Sequence, residues 1–286
     1  MPAQDSVTPG VFNFRGRAAG RSLPGPSLYR SGRMFGTRKF GRARQPQLVG
    51  DGVVQLGTDL VNWFLLGTNG GVVVVDTGLP GYDADLDNGL ALLDRDRGAV
   101  EAIVLTHSHS DHSGSAESLR RALDVPVYVH EAEAEAVRTA AAVGKTGGSQ
   151  LPYLRHPHAW RLLAHFREAG GAAAVGEVVA YADGQELPGG LHAVRTDGHT
   201  PGHCVLHQRE RGQLFAGDHL CTWNPLTGRR GVEILPRPLN VSSEAMLEAL
   251  DRIEQLETRV LLFGHGEPWA GSAVEAVTAA RAAGVT

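Results

Sequence analysis

The sequence predicts an α/β protein in which two β-rich halves, each covered by helices, form a four-layer αββα sandwich. Short apolar runs rich in β-branched residues recur in two groups, at 53–130 and at 177–263. Segments with apolar residues at helical spacing lie beside and after these runs. Within the first group, Val72–Val75 is apolar on both faces, which is typical of a strand that is covered on both sides.

Length and composition indicate a globular protein. The 286 residues can form one large domain or two small ones, and 42% hydrophobic with 20% charged residues is ordinary for such a chain. A net charge of −4 does not point to nucleic acid or to an anionic membrane. No apolar run is long enough for a membrane span, and no signal-like segment opens the chain. We therefore expect a cytoplasmic protein with a small-molecule substrate and neither a membrane nor a nucleic-acid partner.

The two cysteines, Cys204 and Cys221, are too few for a disulfide framework. Both are expected to be buried thiols. This cysteine usage fits a reducing compartment.

Residues 1–47 form a basic arm rich in Gly, Pro and Arg. The arm carries nine Lys and Arg residues and one acidic residue, about +8, which leaves −12 for the remainder. Two interpretations stay open: a loosely draped segment, or one that docks on the body or on an acidic partner. The arm contains no predicted metal ligand, and we expect it to be dispensable for chemistry.

Residues 48–286 are expected to form one domain. Its predicted strands are 53–56, 60–66, 71–76, 101–105, 127–130, 177–181, 191–196, 203–208, 213–216 and 260–263. Its predicted helices are 82–97, 113–123, 131–143, 153–168, 242–256 and 271–283. A helical insertion at about 131–176 separates the two halves and has no ligand-like spacing of its own.

The stretch from Thr106 to His112 reads Thr-His-Ser-His-Ser-Asp-His and follows the predicted strand 101–105. Three imidazoles and one carboxylate therefore crowd a turn between a strand and a helix. Neutral imidazole and carboxylate are ligands that zinc accepts in proteins. Their density favours a metal site over a structural role in a core.

This His-x-His-x-Asp-His motif at a strand end resembles the signature of the metallo-β-lactamase fold superfamily. The family pattern asks for three further ligands, each after a later strand. His199 lies in Gly-His-Thr-Pro-Gly-His, Asp218 ends Leu-Phe-Ala-Gly-Asp, and His265 lies in Phe-Gly-His-Gly. The resemblance extends from about Leu48 to the C-terminus, and it implies the αββα sandwich and a metal-dependent hydrolase.

The resemblance also implies seven ligands for two metal ions, with one shared carboxylate. They are His107, His109 and His199 for one ion, Asp111, His112 and His265 for the other, and Asp218 as the bridge. It implies two Zn²⁺ per chain, although Fe or Mn suits the same ligands. Such a pair can share a hydroxide that is nucleophilic at neutral pH. Asp111 is the candidate catalytic residue, which would orient the hydroxide or protonate the leaving group; ligation alone is the alternative.

The residue at position 218 narrows the substrate class. Thiolate-ligated β-lactamases of this family carry Cys there, whereas a bridging Asp resembles the lactonase, thioester hydrolase and phosphodiesterase branches. We therefore favour a small ester, lactone or thioester as substrate. A phosphodiesterase or a β-lactam hydrolase of the same fold is the alternative. A non-catalytic, metal-stabilised binding protein is the competing class.

Further residues are expected around the ligands. The resemblance implies that Asp76 holds a metal-site histidine or nearby backbone, and capping a turn is its alternative role. His203 is expected to support the site or to be structural, and His219 either faces the cleft or packs behind it.

In the family that the sequence resembles, insertions at the position of residues 131–176 shape substrate choice. Within this insertion, the side chains that suit contact with a substrate are Tyr153, Leu154, His158, Trp160 and Phe166. The alternative is that they only pack the insertion onto the body.

Overall fold

The computed structural model describes residues 39–141 and 146–286. Most of the basic arm therefore lies outside the described residues, as does the end of the predicted helix 131–143.

The first sheet has seven strands in sequence order. They are β1 (Gln47–Gly50), β2 (Val53–Gly57), β3 (Asn62–Gly67), β4 (Val72–Val75), β5 (Val100–Val104), β6 (Val127–His130) and β7 (Val179–Tyr181). Pairing is antiparallel from β1 to β4 and parallel from β4 to β7. The parallel half requires crossover connections, and these carry helices.

The second sheet has six strands. They are β8 (Glu186–Leu187), β9 (Leu191–Arg195), β10 (Cys204–Gln208), β11 (Gln213–Gly217), β14 (Val260–Phe263) and β15 (Trp269–Ala270). Their order is β15-β14-β11-β10-β9-β8, and only β11 and β14 pair in parallel. A separate two-stranded sheet pairs β12 (Cys221–Trp223) with β13 (Arg230–Glu233).

The described part of the chain has seven α-helices. They are α1 (Leu86–Ala91), α2 (Ser110–Ser113), α3 (Ala116–Leu123), α4 (Ala134–Thr139), α5 (Pro157–Ala169), α6 (Ser243–Glu254) and α7 (Ala273–Ala283). Of these, α1, α3 and α4 pack on the outer face of the first sheet and α6 and α7 on that of the second. The Ser242 side chain caps α6, and Ser272 with Glu275 forms a capping box on α7. Among the helices of the described residues, none is both long and apolar enough to cross a bilayer.

Alternation along β4 shows how the layers pack. Val73 and Val75 enter a core that also contains Leu206 and Phe215 of the second sheet. Val72 and Val74 join the core under α1 and α3. A third core lies between the second sheet and helices α6 and α7. The predicted four-layer αββα sandwich is therefore confirmed.

Two predicted helices are shorter than expected. The segment 82–97 contains a 3₁₀ turn, Tyr82–Asp85, followed by α1, and the chain then turns at Asp94, whose φ is 53°. Helix α4 ends at Thr139, and the next residue, Ala140, also has a positive φ. Strands β1, β8, β12, β13 and β15 were not predicted. β8 and β15 have only two residues each, and β1, β12 and β13 contain no run of more than two apolar residues.

Candidate metal centre

The seven predicted ligands come from segments that follow four strands. The motif loop after β5 carries His107 and His109, and it continues into α2, which begins at Ser110 and carries Asp111 and His112. Asp218 follows β11 directly, and His199 and His265 lie in the loops after β9 and β14. All four segments meet at one edge of the sandwich. Side chains that are distant in sequence therefore come together there.

The structure brings these side chains into two groups that share one residue. The groups are His107, His109, His199 and Asp218, and Asp111, His112, Asp218 and His265. Within each group the potential ligand atoms lie within 4.8 Å of one another. Their membership is the same as in the assignment made from the sequence.

Asp218 lies between the two groups. Its Oδ2 is 3.4 Å from the Nε2 atoms of both His199 and His265. Its Oδ1 is 3.1 Å from His112 Nε2. One carboxylate thus faces imidazoles of both groups, which is the arrangement a bridging ligand requires.

The hydrogen bonds of His112 and His265 leave their inner nitrogens free for a cation. His112 Nδ1 donates to Asp76 Oδ2 at 2.8 Å, and His265 Nδ1 donates to the Leu60 carbonyl at 2.6 Å. Because Nδ1 is the donor in these bonds, each Nε2 presents a lone pair whenever the ring is neutral, as it must be to bind a metal. His112 Nε2 and Asp218 Oδ1 are both buried without a hydrogen-bond partner. Buried polar atoms without partners are rare, and a metal ion would satisfy both.

His199 is oriented in the same way by Asn240. The Asn240 amide nitrogen donates to the Leu235 carbonyl at 2.6 Å, so its oxygen accepts from His199 Nδ1 at 3.2 Å. His199 Nε2 then lies 3.2 Å from His107 Nε2 and 2.9 Å from His109 Nδ1. Three ring nitrogens that converge in this way fit a cation between them.

Asp76 holds one of the clustered histidines and nearby backbone, which is the role that the resemblance implied for it. It has a positive φ of 56° at the end of β4, and its Oδ1 accepts from the Thr106 backbone N–H at 2.8 Å. It also accepts from the Thr106 hydroxyl and from His112 Nδ1. Because the Thr106 hydroxyl donates to Asp76, its oxygen can accept from His107 Nδ1 at 3.0 Å. One buried carboxylate therefore orients a histidine of each group.

The electrostatics differ between the two groups, because carboxylates favour positive charge on His112 and His265 whereas His107 disfavours it. Burial opposes protonation of His112, but the charges of Asp218, Asp76 and Asp111 raise its pKa well above the usual value. Burial likewise opposes protonation of His265, yet Asp218 and Asp111 raise its pKa to about 10. Burial and the neighbouring imidazoles lower the pKa of His107 well below its usual value. The carboxylates therefore require a compensating cation, whether a proton or a metal.

A cavity of about 270 Å³ opens beside this cluster. His109, Asp111, His199, Asp218 and His265 line one side of it. The insertion lines another side through Tyr153, Leu154 and Phe166, which are three of the five side chains singled out in the sequence.

The other two do not line the cavity, and the expectation for them was wrong. Trp160 is 54% exposed, and its Nε1 donates to the Leu154 carbonyl at 2.6 Å. The His158 ring packs edge-on against Trp223, with 5.8 Å between ring centroids. The cavity-facing residues of α5 are Ala159, Leu162, Leu163 and Phe166, at helical spacing, so positions 158 and 160 point elsewhere.

Comparison with known proteins identifies the family. A model of the metallo-beta-lactamase superfamily matches residues 56–265. The chain belongs to this superfamily. The match ends at His265, the last of the seven clustered residues.

Individual relatives agree with that assignment. The probable metallo-hydrolase YflN of Bacillus subtilis (strain 168) is 28% identical over 211 residues, 70% of this chain and 76% of that protein. The probable metallo-hydrolase YybB of the same organism is 26% identical over 75% of this chain and 84% of that protein. The predicted family and enzyme class, a metallo-hydrolase, are confirmed at this level.

Solved structures show the same fold. A metallo-beta-lactamase family protein from Thermus thermophilus is 26% identical, with a TM-score of 0.55 over 79% of this chain and 78% of that one. Rm3 metallo-beta-lactamase is 17% identical, with a TM-score of 0.62 over 86% of this chain and 94% of that one. At such low identity the second similarity describes the fold alone.

Glu133 is a residue of the site that sequence reasoning missed. It is fully buried, and its Oε1 accepts from the Gly202 N–H at 2.7 Å. Its Oε2 accepts from the backbone N–H of Ser108 at 3.2 Å and from the Ser108 hydroxyl. It thereby joins the loop that carries His107 and His109 to the loop that carries His199. In the sequence it is one of several Glu residues among alanines, and nothing there distinguishes it.

The two histidines whose roles were left open both lie behind the ligands. His203 Nε2 accepts from the Asp218 N–H at 3.1 Å, and its Nδ1 bonds the Thr196 hydroxyl at 2.9 Å. His219 Nε2 bonds the Met246 carbonyl of α6 at 2.9 Å, so His219 packs behind the site. Both cysteines are buried, as expected.

The described end of the arm, residues 39–46, packs against the body and against α5. Arg161 Nε donates to the Phe40 carbonyl at 2.6 Å, and Arg161 Nη2 pairs with Asp59 at 2.6 Å. The Lys39 N–H donates to Glu168 at 3.0 Å. Part of the predicted arm is therefore built into the folded body.

Proposed function

We propose that the protein is a metal-dependent hydrolase that holds two zinc-type ions per chain and cleaves a small ester, lactone or thioester. The observation that carries this proposal is the membership of Asp218 in both ligand groups. A carboxylate between two groups of imidazole and carboxylate donors supports a dinuclear site. Imidazole and carboxylate ligands without a thiolate suit zinc, and they also accept Fe or Mn.

Bound metal would acidify a water molecule and polarise the oxygen of the bond to be cleaved. The chain supplies the rest. Asp111 lines the cavity, and its Oδ2 lies 3.5 Å from His265 Nε2, so this carboxylate can orient a water or pass a proton to the leaving group. Asp76, Asn240 and Glu133 hold the ligand loops in one geometry before substrate arrives.

The cavity lining favours an uncharged ester, lactone or thioester over a substrate that carries a negative charge. Among the described residues that line it there is no Lys or Arg. A phosphodiester or the carboxylate of a β-lactam would therefore find no Lys or Arg side chain to pair with on the described wall. We rank phosphodiesters and β-lactams below esters, lactones and thioesters for this reason.

Elemental analysis of protein purified without added metal tests the dinuclear site. We expect about two transition-metal ions per chain. A metal content well under one ion per chain, with no activity gained on reconstitution, would overturn the proposal.

The variant Asp111→Asn separates a hydrolase from a metal-stabilised binding protein. We expect hydrolysis to fall roughly a hundredfold or more while the fold is retained, because Asn cannot accept a proton. Asp87→Asn is the control, since Asp87 is an exposed surface carboxylate. Hydrolysis that is equal in both variants would argue against a role for Asp111 in the chemistry.

A substrate panel tests the compound class. Acyl-homoserine lactones, acyl thioesters, bis(p-nitrophenyl) phosphate and nitrocefin represent the candidate classes. We expect the lactones and thioesters to be turned over faster than the phosphodiester and nitrocefin. Preferential turnover of nitrocefin would show that a β-lactam is the better substrate and that Asp218 does not exclude it.

A further inference from the structure

The wall of the cavity that faces the metal ligands is apolar. Helix α5 contributes Ala159, Leu162, Leu163 and Phe166, which follow one another at spacings of three and four and so lie on one face. Leu226 and Leu239 complete this apolar surface. A substrate that reaches the metal ligands must therefore lie along hydrocarbon on its other side.

The apolar surface continues out of the cavity. Ala159 and Leu162 are buried, whereas Leu163 lines the cavity and is nevertheless 53% exposed. Leu163 therefore lies at the mouth. Exposed large apolar side chains that adjoin a cavity often mark a binding surface.

The size of the cavity restricts the group that it can hold. Its volume of about 270 Å³ lies below the roughly 300–1,000 Å³ of pockets that enclose drug-sized ligands. A slender chain fits such a space, and a longer chain would project past Leu163.

The charge of the described lining restricts the group further. Apart from the clustered His and Asp side chains, the ionisable group on the wall is the Tyr153 phenol. Burial raises the pKa of this phenol, so it stays neutral at pH 7. A charged group pressed against this wall would lose its hydration and meet only neutral hydrogen-bonding groups, those of Thr146, Gln150 and Tyr153, in place of a countercharge.

We infer that the cavity binds the uncharged, unbranched acyl chain of the substrate, which runs from the metal ligands along α5 and leaves at Leu163. This inference rests on the proposed hydrolase function and names the substrate class within it. Esters and thioesters of longer linear acyl groups are then preferred to acetyl compounds. Chains that end in a carboxylate are rejected.

Two measurements on the metal-loaded full-length protein test this. The first compares kcat/KM for the acetate, butyrate and octanoate esters of p-nitrophenol and for the suberate half-ester, whose chain ends in a carboxylate. We expect kcat/KM to rise roughly tenfold or more from acetate to octanoate and to fall again for the half-ester. The second measures calorimetric binding of acetohydroxamate and octanohydroxamate, which bind metal without being hydrolysed.

Three variants locate the preference. Leu163→Asp places a charge at the mouth and should lower the octanoate-to-acetate ratio roughly tenfold, in turnover and in binding. Val274→Asp is the matched control, because Val274 is 50% exposed and lies on α7, which contributes no lining residue. The octanoate-to-acetate ratio of this variant should equal that of the wild type. Ala159→Leu narrows the cavity from inside and should shift the optimum to shorter chains. Because Ala and Leu are both apolar, this variant changes the volume of the cavity without changing the polarity of its wall.

The outcomes separate the inference from the function on which it rests. If no ester is hydrolysed but octanohydroxamate binds more tightly than acetohydroxamate, and Leu163→Asp removes that difference, the acyl site stands and the hydrolase proposal falls. If esters are hydrolysed without regard to chain length and both hydroxamates bind equally, the acyl site falls and the hydrolase stands. A substitution of Lys145, which lies outside the described residues, gives a further check. If the half-ester is preferred and Lys145→Ala removes that preference, the inference of an uncharged chain is overturned.

Discussion

The metal centre and the cavity wall opposite it are built in different ways. In the metal centre, buried hydrogen bonds orient the imidazoles, as Asp76 does for His112 and Asn240 does for His199. The wall is the apolar face of one helix, and its polar contacts are on the other side. Arg161 and His165 of α5 bond the arm end, Asp59 and Tyr82, away from the cavity.

This difference separates reactivity from selectivity. A metal site must hold its donors within a fraction of an ångström, so loops at strand ends and buried hydrogen bonds suit it. An apolar wall discriminates by size and hydrophobicity, which a helix face can change by single substitutions without disturbing the ligands. Changes at the centre should therefore abolish metal binding, whereas changes around α5 should alter preference alone.

The largest effect is expected from Asp218→Ala. It removes the carboxylate shared by both ligand groups, so metal affinity should fall by more than about a hundredfold and turnover should be lost. Elemental analysis and chelator competition measure this, with Asp87→Ala as the surface control. Retention of both metals would show that the two groups do not depend on a common ligand.

A smaller effect is expected from Glu133→Gln. The amide would present an NH₂ group to the N–H of Gly202 or of Ser108, which leaves a buried donor unpaired at a cost of about 1–3 kcal/mol. Metal affinity of the group that contains His107, His109 and His199 should fall about 10- to 100-fold. Chelator competition and thermal unfolding measure the two effects.

Glu135→Gln is the matched control for that variant. Glu135 is exposed in the first turn of α4, and Glu133 is the residue that precedes this helix. If the two variants behave alike in metal affinity and in unfolding temperature, Glu133 does not hold the ligand loops together.

Arg161→Met tests how α5 is held. It removes the bonds to the Phe40 carbonyl and to Asp59, so the local stability of α5 should fall by about 1 kcal/mol with metal content unchanged. Hydrogen exchange on α5 and the ester chain-length profile measure the result. Arg167→Met, at an exposed position of the same helix, is the control.

Two truncations sharpen the same point. Removal of residues 1–38 should leave both turnover and exchange on α5 unchanged, whereas the prediction from the sequence was that the whole arm, residues 1–47, is dispensable. Removal of residues 1–46 should loosen α5 and flatten the chain-length profile. Equal behaviour of the two proteins would show that the arm end does not position the helix.

The smallest effect is expected from Trp160→Ala. Trp160 lies outside the cavity, so the profile for short esters should not change, whereas Tyr153→Ala should shift it severalfold. Kinetics with acetate and butyrate esters compare the two variants. A larger effect of Trp160 than of Tyr153 on these short substrates would contradict the boundary of the cavity.

Much of the centre could be predicted from the sequence, because its His and Asp residues occur at short, characteristic spacings directly after strands. A recognisable strand precedes each of the four segments that carry these residues, namely the motif from His107 to His112 and the single residues His199, Asp218 and His265. Strand ends at one edge of a sandwich meet, which explains why these residues cluster, but their division into two groups was implied by the resemblance to the superfamily. The short strands β8 and β15 at the sheet edge contain too few residues for the same reasoning.

The tertiary structure alone decided which residues hold the metal-site loops in place and which side chains form the cavity wall. Gly202 and Glu133 are 69 positions apart, and His199 and Asn240 are 41 apart, so no local pattern marks either partner. Likewise, helical spacing predicts α5 but not its rotation about its own axis, which left Trp160 and Phe166 equivalent in the sequence. The contacts of Arg161 and His165 with the body set that rotation, and they turn Phe166 into the cavity and Trp160 away from it.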